Sequence, residues 1–322
     1  MIAELCIIVI NWNSGDLLTK CVRSVVASRP ALPYEVLVID NGSFDNSLQL
    51  LSQDETGASL LQQQRLRIVE NSDNKGFGCA NNQAFKLTDA PFCFLLNPDT
   101  EVSPGAIDRL VRTLQSDACV AACGPRILNS DGSVQSSVWR NPPAVWDTLL
   151  SQLKLYRLLP RRLRGELLLG GHWLHDRRRE VRMLSGAAML VRRSVIEQIG
   201  GFDERFYLYA EDCEWCLRIV RAGWKLMFEP EAVIRHHGAS STLKRWDQLQ
   251  KLRIQLDASY LYQKLSLPRR QLVANHLASY VISSAQDIWR RSRGIDAPEV
   301  RSARAIYWEL FRRALNDKPA PT

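Results

Sequence analysis

The chain is first defined by what it lacks. A run of about eighteen apolar residues, the minimum for a membrane-spanning helix, occurs nowhere in its 322 residues. The longest uncharged stretch near the C-terminus, residues 271–286, is interrupted by Asn275, His276 and Ser279. The N-terminal apolar run has an acid before it, Glu4, and no basic residue, which is a poor pattern for a secretory signal. Eight cysteines without regular spacing exclude a disulfide scaffold and fit a reducing compartment. Internal repeats and low-complexity tracts are absent. These absences lead to the expectation of a soluble cytoplasmic protein, with peripheral attachment to the inner face of the cell membrane as a candidate. The length allows one large domain or two modest ones.

Two further absences concern the first strand-to-helix turn, Asn11-Trp12-Asn13-Ser14-Gly15. It is neither the G-x-G-x-x-G of dinucleotide-binding folds nor a Walker loop. A diphosphate bound here needs another counter-charge, and a divalent cation held by carboxylates is the obvious one.

What is present begins with alternation. Leu5-Cys6-Ile7-Ile8-Val9-Ile10 reads as a strand buried on both faces, residues 16–28 as a helix, and residues 34–39 as a second strand. Residues 45–51 read as a helix, 66–69 as a strand, 76–86 as a helix and 91–96 as a strand. This βα alternation predicts a mainly parallel sheet with helices on its faces, and ligands beyond the carboxyl ends of the strands. Asn11, Asp40 and Asn97-Pro98-Asp99 fall there.

Charge is segregated. The net charge of +8 arises from −5 over residues 1–153, +8 over 154–193, −3 over 194–242 and +8 over 243–322. In the basic insert, about 154–182, leucines interleave with Arg161, Arg162, Arg164 and Arg177 to Arg179. The tail reads as helical, with Leu249, Leu252, Leu256 and Tyr260 on one face and Val300, Ala303, Tyr307 and Leu310 on another. Basic amphipathic stretches suit an anionic membrane surface. The alternative is packing on the preceding part of the chain or across a dimer. Nucleic acid is the poorer fit, because no recognition motif accompanies the charge.

Three clusters carry chemistry. If residues 97–99 stay extended, Asn97 and Asp99 project to one side about 6.6 Å apart, beside a strand end fixed by Pro98. Glu211-Asp212 opens a helix that ends at Gly223, where the helix dipole favours an ionised carboxylate able to accept a proton. His236 follows a short strand over 232–235 and could complete a metal shell begun by Asp99. The pairs Cys213/Cys216 and Cys119/Cys123 read as core packing rather than zinc or redox sites.

In order along residues 5–242, these clusters resemble the inverting family 2 glycosyltransferases with the GT-A fold. The matching segments are Ile7 to Asn13, Val38-Ile39-Asp40-Asn41-Gly42-Ser43, Asn74-Lys75-Gly76-Phe77-Gly78, Leu95 to Asp99, Ser185-Gly186-Ala187, Gly200-Gly201-Phe202-Asp203-Glu204, the Glu211-Asp212 helix and His236. The wording looks most like bacterial rhamnosyltransferases of cell-envelope polysaccharide assembly. The resemblance implies a Rossmann-like mixed sheet for residues 1–242 and a helical extension over 243–322. It implies a nucleotide-sugar donor, dTDP-rhamnose first and a UDP or GDP sugar as alternative, with a glycan or lipid-linked glycan acceptor and Mg or Mn as cofactor. Asn11, Asp40, Asn74, Gly76, Asn97, Ser185, Gly186 and Ala187 would bind the donor. Asp99 and His236 would hold the metal, Asp212 would be the general base, and Asp203 and Glu211 would support the acceptor side. His236 is preferred to His237 because its spacing to Gly238 and Ser241 resembles H-x-G-x-x-S. The departure is Asn97, where the family's D-x-D has its first acid.

Overall fold

The fold is that of a computed structural model, which describes residues 3–139, 149–150, 152–160, 163, 173–238 and 247–317. Its centre is β1 (Leu5–Asn11), buried at every position. Alternate side chains serve two separate cores: Leu5, Ile7 and Val9 enter one, Cys6, Ile8 and Ile10 the other. Strand periodicity and two-sided burial thus explain why this segment reads as a continuous apolar run. Each fully buried aliphatic side chain contributes about 1.5–3 kcal/mol relative to exposure.

Parallel pairing runs through β3 (Leu66–Glu70), β2 (Tyr34–Asp40), β1 and β4 (Phe92–Leu96). Beyond β4 the sheet is mixed, continuing with β10 (Ala188–Arg192), β6 (Val120–Leu128), β11 (Lys225–His236) and β5 (Thr100–Val102), with β8 (Arg179–Val181) also on β11. A small second sheet pairs β7 (Val138–Trp139) with β9 (Met183–Leu184). Helices α1 (Leu17–Ala27), α2 (Ser47–Gln53), α3 (Glu55–Gln62), α4 (Phe77–Phe85) and α5 (Ala106–Ser116) intervene between the early strands. Then come α6 (Arg193–Ile199) and α7 (Glu211–Arg221).

Two elements depart from the sequence reading. Helix α3 was not expected: its polar run carries Gly57, but Asp54 caps it by accepting from the Thr56 and Gly57 amides, and a Cβ at residue 57 would lie 1.9 Å from the Leu51 carbonyl. The strand expected over 232–235 is twelve residues long, because Pro230 falls in a bulge between Glu229 and Val233 rather than ending the strand.

The tail is α8 (Gln248–Ser266), α9 (Arg269–Ser292) and α10 (Pro298–Asn316). Leu252, Leu256, Tyr260, Leu310 and Ala314 pack into a third core, and Ala258 and Tyr262 join the catalytic core. Of the tail faces read from the sequence, Leu252, Leu256, Tyr260 and Leu310 point inward, Val300, Ala303 and Tyr307 are half-buried, and Leu249 is exposed. In the insert, Arg178 lies 3.6 Å from Glu229, and Arg179 begins β8 with its guanidinium over Trp173. Arg161, Arg162, Arg164 and Ser241 lie outside the described residues. No described helix is long and apolar enough to cross a membrane.

Candidate active site

At the carboxyl ends of β1, β2 and β4 lies a cavity of about 450 Å³. One wall comes from the Asn97–Thr100 segment. It is a turn rather than the extended segment considered above: the Thr100 amide and hydroxyl both donate to the Asn97 carbonyl, at 3.2 and 2.7 Å. The antiparallel register of β5 on β11 places His236 opposite Thr100. Consequently Asp99 Oδ1 is 3.1 Å and Asn97 Nδ2 is 3.3 Å from His236 Nε2. His236 Nδ1 is 2.8 Å from Gln135 Oε1 and donates to it, which leaves Nε2 as the acceptor nitrogen. His237 faces elsewhere, towards Glu101 and Ser130.

This arrangement suits a cation. An accepting imidazole nitrogen and a carboxylate oxygen confront each other on the cavity wall, and both favour positive charge between them. Among the described residues no third His, Cys, Asp or Glu completes the set. A hard divalent ion held here would need donor diphosphate oxygens and water for its remaining ligands. The neutral Asn97 removes one negative charge from this edge.

The facing wall carries the acids. Tyr209 and Ala210 both adopt the left-handed region, at φ 69° and 63°, immediately before α7. Such backbone costs about 1–2 kcal/mol per residue, and here it swings the start of α7 into the cavity. Asp212 Oδ2 accepts from the Gly186 amide at 2.9 Å, and Oδ1 from the Cys213 amide at 2.8 Å. Burial raises the Asp212 carboxyl above its usual range, and these two donors oppose the shift. Glu211 Oε2 has no hydrogen-bond partner, and burial beside the Asp212 charge pushes the Glu211 carboxyl up to about 8. Of the pair, Asp212, with two amide donors, is the better held as an anion, and Glu211, with Oε2 unpartnered, the better held protonated. Gly186 is closely approached: a Cβ there would lie 3.1 Å from the Phe77 ring, tight enough that the ring would have to shift slightly, and 3.4 Å from Asp212 Cβ.

Asn74, Gly76, Asn97, Asp99, Ser185, Gly186, Ala187, Glu211, Asp212 and His236 all border this cavity. Asn74 Oδ1 accepts from the Gly76 amide, and Gly76, at φ 88°, passes so close beneath Tyr207 that a Cβ would lie 2.6 Å from its carbonyl. Asn11 and Asp40, expected at the donor, do not line this cavity. Both are buried behind the wall, where Asn11 Nδ2 donates to Asp40 Oδ1 at 2.6 Å and Asp40 also takes the Ser43 amide and hydroxyl. They shape the turn after β2, and Asn41 reaches the cavity instead. Asp203 is also off the wall and pairs with Arg205; Asn82 grips its loop through the Phe202 backbone. Cys213 and Cys216 are free thiols raised by burial, as core packing implied.

Sequence reasoning missed Trp12, Asn41, Tyr207, Gln135 and, from the tail, Lys251 and Gln255. The last two had a signal. Their i,i+4 spacing puts two polar side chains on one face of α8, beside the apolar Leu252 and Leu256. Gln135 had none, lying 101 positions from His236.

A Rossmann-like sheet whose parallel half ends in an Asn-Pro-Asp turn, facing an acidic helix across a polar cavity, defines a glycosyltransferase of the GT-A fold. The chain belongs to glycosyltransferase family 2: the Glycosyl transferase family 2 profile matches residues 6–200, and that of Glycosyl transferase family group 2 matches 166–285. It is 30% identical over 262 residues to the N-acetylglucosaminyl-diphospho-decaprenol L-rhamnosyltransferase of Mycobacterium tuberculosis, covering 73% of this chain and 76% of that protein. It is 24% identical over 235 residues to the O-antigen chain rhamnosyltransferase RfbN of Salmonella typhimurium, covering 72% and 66%. Similar solved folds include the mannosyltransferase PcManGT from Pyrobaculum calidifontis in complex with GDP-Man and Mn2+, with 16% identity, a TM-score of 0.59 and coverage of 98% and 87%. Another is GalNAc-T7 with UDP, GalNAc and Mn2+, with 14% identity, a TM-score of 0.57 and coverage of 99% of this chain but 58% of that one.

Proposed function

We propose that this glycosyltransferase is inverting and dependent on a divalent cation, and that it moves rhamnose from dTDP-rhamnose to a hydroxyl of a lipid-linked glycan in cell-envelope polysaccharide assembly. The observation that carries the proposal is the convergence of Asp99, His236 and Asp212 on one cavity. The rhamnosyl and lipid-linked parts are supported by the name of the mycobacterial relative, which specifies both a rhamnosyl group and a diphospho-decaprenol. Such an acceptor resides at a membrane, so attachment to its inner face belongs to the same proposal.

Asp212 accepts the acceptor hydroxyl's proton as that oxygen attacks the anomeric carbon. The bond from that carbon to the diphosphate oxygen breaks in the same step. A single base, with no nucleophile on the opposite face of the sugar, gives inversion. The Gly186 and Cys213 amides hold the Asp212 carboxylate in place, and Glu211 stays protonated beside it. Asp99 and His236 would hold the divalent ion, whose contribution is to neutralise charge gathering on the leaving diphosphate. Trp12, Asn41, Asn74 and Gly76 border the nucleotide end, and Ser185 to Ala187 the transferred sugar. Lys251 adds an ammonium to the same wall, suited to a phosphate group.

Thermal unfolding with nucleoside diphosphates, with and without Mn2+, tests the donor assignment. Thymidine diphosphate should stabilise most, and only with the ion. Stronger stabilisation by UDP or GDP would transfer the reading to another sugar donor.

A further inference from the structure

Helix α9 is amphipathic in the inverted sense. Its buried positions include Asn275, His276, Ser279, Ser283 and Asp287, five polar residues against two apolar ones, Leu272 and Ile282. Three of them are engaged: Asp287 binds Arg291 and Arg304 at 3.1 and 2.7 Å, Asn275 donates to Gln263, and Ser279 receives a hydrogen bond from Gln152, while His276 stacks against Tyr260 with both ring nitrogens unpartnered. The outward face carries Leu277, Val281, Ala285, Ile288 and Trp289, at i, i+4, i+8, i+11 and i+12. Their exposure is high, at 41% for Leu277, 54% for Val281, 66% for Ile288 and 53% for Trp289. A surface helix ordinarily turns such a stripe to the core. Here the polar side is the one fixed inside, so the apolar face is built to meet something else. It runs about 18 Å along the helix.

The surroundings identify the occupant. Arg269 and Arg270 stand at one end of the stripe and Arg293, over the Trp289 ring, at the other; Arg290 and Arg291 beside it are paired with Glu299 and Asp287. The segment joined to the enclosed side of α9 through Gln152 has exposed leucines of its own, Leu153, Leu155 and Leu158, with Lys154 and Arg157 between them. Apolar side chains ringed by cations complement an anionic bilayer surface. A second copy is disfavoured, since two tails of +8 each would face one another.

We propose that the outward face of α9 is a membrane-docking surface for anionic phospholipid. It names the surface behind the attachment proposed above, but its test involves no sugar transfer. Helix α8 packs against both α7 and α9 and brings Lys251 and Gln255 to the cavity, so docking through α9 would hold the active site close to the bilayer.

The experiment is co-sedimentation of the full chain with phosphatidylglycerol or phosphatidylcholine vesicles at low and high salt. The wild type should partition onto phosphatidylglycerol at low salt and only weakly onto phosphatidylcholine. The triple variant Leu277→Ser, Val281→Ser, Ile288→Ser should lose at least about tenfold in partition coefficient, with its unfolding temperature and its response to nucleoside diphosphate unchanged. Arg270→Glu, which spares the apolar face, should weaken binding at low salt and match the wild type at high salt. Absence of wild-type binding at low salt, or triple-variant binding equal to wild type, overturns the proposal. So does a wild-type dimer in sedimentation velocity that the triple variant abolishes. Loss of nucleotide response with lipid binding intact would instead count against the donor reading alone.

Discussion

The two ends of this chain obey opposite rules. In β1, β2 and β4, apolar residues point to two cores and polar ones gather at the strand ends. In α9, polar residues are enclosed and apolar ones face out. The first pattern makes a platform whose rim is a polar cavity. The second leaves an unburied apolar area, the one proposed above to meet a membrane. Between them lies the cavity, lined by Asp212 from α7 and by Lys251 and Gln255 from α8, so the tail contributes to its wall.

The largest expected effect falls where the catalytic half does its chemistry. Asp212→Asn should lower kcat by about 10²–10⁴ while nucleoside diphosphate still stabilises the protein; near-normal turnover would remove the base assignment. Because burial raises the Asp212 carboxyl, the acid limb of kcat/KM should lie above the ordinary carboxylate range. Asp99→Ala and His236→Ala should each abolish the cation-dependent part of nucleotide stabilisation. Persistence of that part in both would place the ion elsewhere. Lys251→Ala should cost roughly tenfold in KM, as expected for losing one charge-assisted contact. An unchanged KM for both donor and acceptor would confine the tail to a structural role.

The smallest effect concerns Glu211. Folded, its carboxyl holds a proton up to about 8, whereas an unfolded glutamate releases it near about 4.3. Between these values the unfolded chain binds fewer protons, so stability falls as pH rises. Glu211→Gln removes that dependence. Its unfolding temperature should rise relative to wild type between pH 5 and pH 8, by about a few degrees. An equal difference at both pH values would show that Glu211 is ionised throughout.

The contrast also explains what the sequence could disclose. Parallel strands with sequential helices report themselves locally through two-sided burial, and Asp99, Asp212 and His236 were legible because each stands at an element's end. Residues defined by distant neighbours were less so. Asn11 and Asp40 stand at strand ends as expected, yet their polar atoms turn to each other and to Ser43, and only their packing partners reveal it. Gln135 reaches His236 across 101 positions. In the tail, helical spacing marked Leu252, Leu256 and Tyr260 of α8 and Leu310 of α10, which are enclosed, but also Leu249, which is not. The exposed stripe of α9 has the same spacing as a core stripe, and periodicity alone cannot tell inside from outside.

The central claim is that Asp99 and His236 jointly face a diphosphate across from Asp212. Anomalous diffraction from crystals grown with thymidine diphosphate and Mn2+ tests it most directly. The account predicts a manganese peak within bonding distance of the Asp99 carboxylate and His236 Nε2, touching the diphosphate, with Asp212 free of the ion. A manganese peak bonded to Asp212, or a diphosphate bound away from Asp99 and His236, would contradict it.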